Sequence, residues 1–157
     1  MRTLILIAAL LAPTLLAPPP AAAQTTTLPR CTVRTEPMNF RPYSALDQAP
    51  NTTTSQIEVT CDAPDRVSLV RISLSPGRSG RHHDRTMTRG GSSLHYNVHT
   101  DPGHRRIAGD GSNGTVAPIR LHRGPGRATF RLYGVILPRQ RIRDGEYDDT
   151  LRVTIEF

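Results

Sequence analysis

The stretch from Thr150 to Phe157 alternates without a break. Leu151, Val153, Ile155 and Phe157 fall on one face, and Thr150, Arg152, Thr154 and Glu156 on the other. A period of two is the mark of a strand with one buried and one solvated face. The same pattern recurs at Ile57, Val59 and Cys61, at Val70, Ile72 and Leu74, and at Ala128, Phe130 and Leu132. Weaker strands are expected near 32–40, 94–100 and 115–121. No segment after residue 24 sustains the 3.6-residue apolar period of a helix.

Between the alternating runs lie Ser75-Pro76-Gly77, Arg89-Gly90-Gly91, Asp101-Pro102-Gly103, Asp110-Gly111, Gly124-Pro125-Gly126 and Asp144-Gly145. Proline and glycine at these places set the dihedrals that reverse a chain. About seven short strands at such spacing predict an all-β sandwich of immunoglobulin-like size. Neither an internal repeat nor a linker interrupts residues 31–157, which read as one domain.

Residues 1–23 read as a secretory signal peptide. Arg2 is a minimal positive start, Leu4 to Leu16 an apolar core, and Ala21-Ala22-Ala23 a small-residue cleavage pattern before Gln24. Cleavage there leaves a short segment, 24–30, ahead of the domain, and no run of ~20 apolar residues that could cross a membrane. Export gives the two cysteines a meaning. Cys31 and Cys61 form an even pair without metal-ligand spacing, and in an oxidising compartment such a pair reads as a structural disulfide. Loop-closure entropy assigns it roughly 3.7 kcal/mol.

The chemistry-bearing residues point away from catalysis. Gly109-Asp110-Gly111-Ser112-Asn113-Gly114 fits G-x-G-x-x-G, but a dinucleotide site needs a helix next, and Pro118 follows closely. It reads as a turn. His82 and His83 are adjacent and would face opposite sides of a strand. His95 and His99 share a face but would stand about 13 Å apart. These, with His104 and His122, are expected in solvated polar segments, so no metal or other cofactor is predicted. No G-x-S-x-G elbow occurs, and an enzyme is not expected. Asn51-Thr52-Thr53 and Asn113-Gly114-Thr115 are sequons that matter only in a glycosylating host. The formal charge of +7 is all arginine, spread along the chain apart from Arg139, Arg141 and Arg143, and few aromatics accompany it. It reads as a surface property rather than nucleic-acid recognition.

The order of motifs carries a resemblance. Met38-Asn39-Phe40 with Tyr43 follows the first cysteine, and Ile57-Glu58-Val59-Thr60-Cys61 ends on the second. Then come Arg85-Thr86-Met87, Tyr96-Asn97 with Asp101, and Gly109-Asp110-Gly111. Tyr133-Gly134 and Gly145-x-Tyr147-x-Asp149-Thr150 precede the closing strand. Over 31–157 this set resembles the spore coat protein U domain family, secreted bacterial proteins that include subunits of archaic chaperone–usher pili.

The resemblance implies a pilin-like sandwich lacking its final strand, which a periplasmic chaperone and then a neighbouring subunit supply by β-augmentation. The partners so implied are that chaperone, an outer-membrane usher and other pilus subunits. The role is a structural subunit of a surface fibre in adhesion and biofilm formation, exported to the periplasm and then the cell surface. Leu151, Val153, Ile155 and Phe157 become the edge that accepts the missing strand. An apolar edge of that length is an aggregation hazard unless something pairs with it. Low aromatic content, 4%, limits the core a lone chain can bury, in keeping with a fold completed by a partner. Gln24 to Arg30 offers Leu28 as its one large apolar side chain, beside Pro29, and makes a poor donor strand. That leaves an alternative: a non-polymerising or tip-located module binding carbohydrate or anionic surfaces.

Overall fold

The computed structural model describes residues 31–61, 67–123 and 126–156. Its order is β1 (Cys31–Thr35), β2 (Asn51–Cys61), β3 (Val67–Leu74), β4 (Arg85–Arg89), β5 (Ser92–His99), β6 (Ile119–Arg123), β7 (Gly126–Ile136) and β8 (Val153–Glu156). Two antiparallel sheets face each other, one ordered β1-β2-β7-β5-β4 and the other β6-β3-β8. This is the all-β sandwich that the alternation predicts. The expected signal at 1–23 and the segment 24–30 lie outside the described residues.

The backbone of the fold is the long β2–β7 ladder, paired from Asn51↔Ile136 to Cys61↔Gly126. Its inward positions match across the pair: Ile57 faces Phe130 and Val59 faces Ala128, all nearly or fully buried. Val70, Ile72 and Leu74 of β3 meet them from the second sheet, each at most 2% exposed. Burying such side chains contributes about 1.5–3 kcal/mol each. β4 and β5 form a hairpin over Gly90-Gly91, whose φ values of 49° and 82° suit a two-residue turn matched to strand twist.

Strand limits differ from the sequence reading in instructive places. β4 has no run of apolar residues to betray it, only Met87 flanked by Thr86 and Thr88. The stretch expected near 32–40 ends as a strand at Thr35. There the chain crosses toward the second sheet, and β2 holds it by side chains: Ser55 Oγ donates to Glu36 O (2.7 Å), Thr53 Oγ1 to Asn39 O (2.6 Å) and Asn51 Nδ2 to Arg41 O (2.7 Å). Near 115–121 the strand begins only at Ile119. The last strand begins at Val153 rather than Thr150, because Arg152 N donates to Ser75 Oγ (2.9 Å) rather than to Ser75 O, which the Arg85 guanidinium takes (2.9 Å).

The two flanks of the sandwich are unlike. On one, the connection 107–118 closes the gap between sheets: Ala108 N donates to Val98 O of β5 (2.8 Å), and Leu74 N of β3 donates to Gly109 O (3.1 Å). On the other, between the 36–43 crossing and β8, no described strand lies between the sheets.

Candidate functional site

The open flank is a groove. β8 pairs with β3 through Leu74↔Val153, Ser73↔Thr154, Ile72↔Ile155 and Arg71↔Glu156. Antiparallel partners alternate between bonded and non-bonded pairs. Ser75 N donates to Arg152 O (2.9 Å), which puts Arg152, Thr154 and Glu156 in the bonded set. The backbone groups of Leu151, Val153 and Ile155 therefore point away from β3, toward the open flank. Their side chains are half-buried against the core. Phe157, the fourth residue expected on this edge, lies outside the described residues.

Across from that edge runs the 36–43 crossing. Its carbonyls at 36, 39 and 41 are taken by β2, yet among the described residues no backbone–backbone hydrogen bond is made by 37–43. The floor between the two lips is apolar: Ile57, Leu74, Met87, Tyr96, Val98 and Leu132 line a cavity of about 440 Å³ with Met38, Phe40, Leu151 and Val153 at its sides. A second, wider cavity of about 990 Å³ continues it toward Arg41, Tyr43, Ile142 and Glu146, sharing Met38, Asn39, Phe40, Met87, Tyr147 and Asp148.

Most motif residues build this groove. Met38 and Phe40 lie over Gly134, where a Cβ would stand 2.5 Å from Met38 Sδ and 2.7 Å from Phe40 Cζ. Glycine is thus required for the crossing to pack on β7. Phe40 meets Tyr96 edge-on, with ring centroids 6.0 Å apart. Tyr147 OH donates to Ser92 Oγ (2.7 Å) and accepts from Arg143 N (3.1 Å), tying its loop to the β4–β5 hairpin. Gly145, at φ 132°, gives room to Arg89. Asp149 Oδ1 accepts from Arg78 N (3.0 Å) and Thr150 N (2.8 Å), while Tyr96 OH donates to Oδ2 (2.8 Å). Burial, and then this bond, raises the Tyr96 pKa and keeps the hydroxyl a donor.

Other motif residues stand apart from the groove. Cys31 and Cys61 face each other across the β1–β2 register and form the disulfide, with Cα atoms 4.1 Å apart. Tyr133 pairs with Thr54 and His99 on β7. Asp101 accepts from Arg105 N (3.2 Å) and Arg106 N (2.8 Å), closing its own turn. Gly109 sits against Thr115, and Gly111 takes φ 91°. The Ser112 hydroxyl and N–H hold the Asp110 carboxyl down at about 2. This is a turn, as the sequence predicts, with no helix after it.

Two expectations are corrected. The arginines are not all a surface property, because Arg85 is fully buried. Its Nη2 donates to Ser75 O (2.9 Å) and Ala108 O (2.8 Å), its Nη1 to Asn97 Oδ1 (2.8 Å) and His82 O (3.3 Å), and its Nε to Ser75 O (3.3 Å). Every guanidinium donor is met, which is what lets such a group leave water. Burial lowers its pKa, with the charge of Asp149 among the influences opposing that. Arg85 shares the inward face of β4 with Met87. His99 is likewise no solvated loop residue. It lies buried on β5, with His104 edge-on at 5.2 Å, and burial lowers its pKa. The other histidines do lie in polar surroundings, His95 Nδ1 2.6 Å from Asp84 Oδ1 and His83 Nε2 2.7 Å from Asn113 O. The side chain of His122 lies outside the description. No group of three metal-ligating side chains gathers among the described residues.

The architecture and the motif residues can be set beside known proteins. The family model for the Spore Coat Protein U domain matches residues 20–154. The chain belongs to the spore coat protein U domain family. Among solved structures it is similar to a chain of the CsuC–CsuE chaperone–tip adhesion subunit pre-assembly complex from archaic chaperone–usher Csu pili of Acinetobacter baumannii. The TM-score is 0.55 at 22% identity, over 83% of this chain. The chain spans 40% of that chain's length, and at such identity the likeness is one of fold. No curated protein matches the sequence. Among the described residues no helix is long and apolar enough to cross a membrane.

Proposed function

We propose that this protein is an exported structural subunit of a chaperone–usher surface fibre, and that its open groove accepts a β-strand from a partner. The observation that carries the reading is an open β8 edge set across an apolar floor from a crossing, 37–43, that makes no backbone–backbone hydrogen bond. The outward groups of Leu151, Val153 and Ile155 face the 37–43 crossing, and a strand laid between them would bond to β8 while its alternate side chains fill the cavity. Family membership and the likeness to a pilus subunit complex support it. A periplasmic chaperone supplies the strand first, and at an outer-membrane usher another subunit replaces it. Adhesion and biofilm formation are the roles such a fibre serves.

Co-expression with a cognate periplasmic chaperone tests this. A stable one-to-one complex is expected, and Val153→Asp, which puts a carboxylate against the groove floor, should abolish it while export persists. A fully stable monomer produced without any chaperone, its groove empty, would refute the reading. Purified fibres should run as SDS-resistant ladders that boiling dissolves. Chaperone complexes without ladders would favour the non-polymerising or tip-located alternative, to which the poor donor sequence at 24–30 points.

A further inference from the structure

One carboxylate ties the two sheets together at the groove. Asp149 precedes Leu151 by two residues, so it fixes how the chain approaches the accepting edge. It is held from the second sheet's side by Arg78 N, in the loop after β3, and from the first sheet by the Tyr96 hydroxyl of β5. Tyr96 and Asp149 both line the narrower cavity. The loop has been shaped to admit the carboxylate: Gly77 takes φ 73°, and a Cβ there would lie 2.1 Å from Asp149 Oδ2. Just before it, Asp148 is bridged to the free edge of β4 through Thr88 N (2.9 Å). Thus the start of the accepting edge is anchored, while the backbone of Leu151 to Ile155 beyond it is left open on one side.

We propose that the Tyr96–Asp149 hydrogen bond is a latch that preforms the accepting edge, holding residues 149–153 extended and at a fixed distance from the groove floor before a strand arrives. This deepens the strand-acceptor reading and rests on it for its purpose, but not for its test. Asp149 and Tyr96 are positioning residues; an incoming strand contacts Leu151 and Val153, and the latch decides where those residues stand. Preorganisation of this kind improves binding by removing the ordering cost from the association step.

The experiment compares wild type with Tyr96→Phe and Asp149→Asn by native-state hydrogen exchange. The amides of Thr154 and Glu156, which bond to β3, report on local opening of β8, and those of Ile57 and Phe130 report on global unfolding. Losing a hydrogen bond to a charged group should speed exchange at Thr154 and Glu156 by about ten- to a hundredfold more than at Ile57 and Phe130. Tyr96→Phe keeps the ring against Phe40, so the test survives if Asp149→Asn fails to fold. Equal acceleration at all four amides, or none at Thr154 and Glu156, would overturn the latch. A second arm measures binding of a fluorescent synthetic nonapeptide of alternating valine and threonine. Weaker binding to Tyr96→Phe, by about tenfold, is expected from lost preorganisation. If exchange behaves as expected but the peptide binds neither protein, the latch stands and the strand-acceptor reading falls; unchanged binding despite a loosened edge would overturn the latch's role in acceptance.

Discussion

Arg85→Met should be among the most damaging single changes in this chain. The magnitude follows from what the side chain leaves behind. Removing the guanidinium strands the carbonyls of Ser75, Ala108 and His82, and Asn97 Oδ1 keeps only Val98 N (2.9 Å). A buried acceptor without a partner costs about 1–3 kcal/mol. The two shortest bonds, to Ala108 O and Asn97 Oδ1 at 2.8 Å, are the largest losses. Against this stands the relief of no longer burying a cation. Three carbonyls left without a donor, with that relief set against them, give a net cost of about 3–5 kcal/mol, a large share of the roughly 5–15 kcal/mol that holds a typical domain.

Equilibrium urea unfolding measures it directly. Arg85→Lys should fall between wild type and Met, because a single ammonium keeps the charge but cannot reach acceptors contributed by β5, the Ser75 turn and the 107–118 connection at once. A loss below about 1 kcal/mol for Arg85→Met, with an unchanged m-value, would show that the carbonyls find other donors and that the buried arginine does not bind the sheets together.

The remaining predictions concern other parts of the frame. Gly134→Ala should cost about 1–3 kcal/mol in urea unfolding and shift the Phe40 and Tyr96 ring resonances in NMR, because the added methyl displaces Met38 and Phe40 from β7. Replacing Cys31 and Cys61 together by serine should cost about 2–5 kcal/mol, read as a lowered urea midpoint that reductant no longer changes. The buried His99 carries a pKa below its unfolded value, so the unfolded chain binds more protons as pH falls below about 6.5, and stability should decline through that window. His99→Gln should flatten the dependence when urea midpoints are compared between pH 7.5 and 5; an unchanged slope would show that His99 is not its source.

What could be read from the sequence was what a single strand declares about itself. Ile57, Val70, Ile72 and Phe130 alternate with polar neighbours, and each lies inward as that alternation requires. A strand's face is a local property, fixed by a period of two. Arg85 was not legible for the opposite reason: a charged residue on an inward face is tolerated only if distant carbonyls converge on it, and convergence is a property of the fold. The same holds for the crossing at 36–43. Asn51, Thr53 and Ser55 look in sequence like one more polar strand face, yet their side chains hold the carbonyls of Arg41, Asn39 and Glu36. That choice decides where the groove lies. Had the crossing beyond Glu36, whose N–H still donates to Gln56 O (3.0 Å), gone on bonding to β2 through its backbone, β1 would run on as an edge strand of the first sheet. Because side chains hold it instead, its backbone turns toward β8 across an apolar floor, and one flank of the sandwich stays open while the 107–118 connection seals the other.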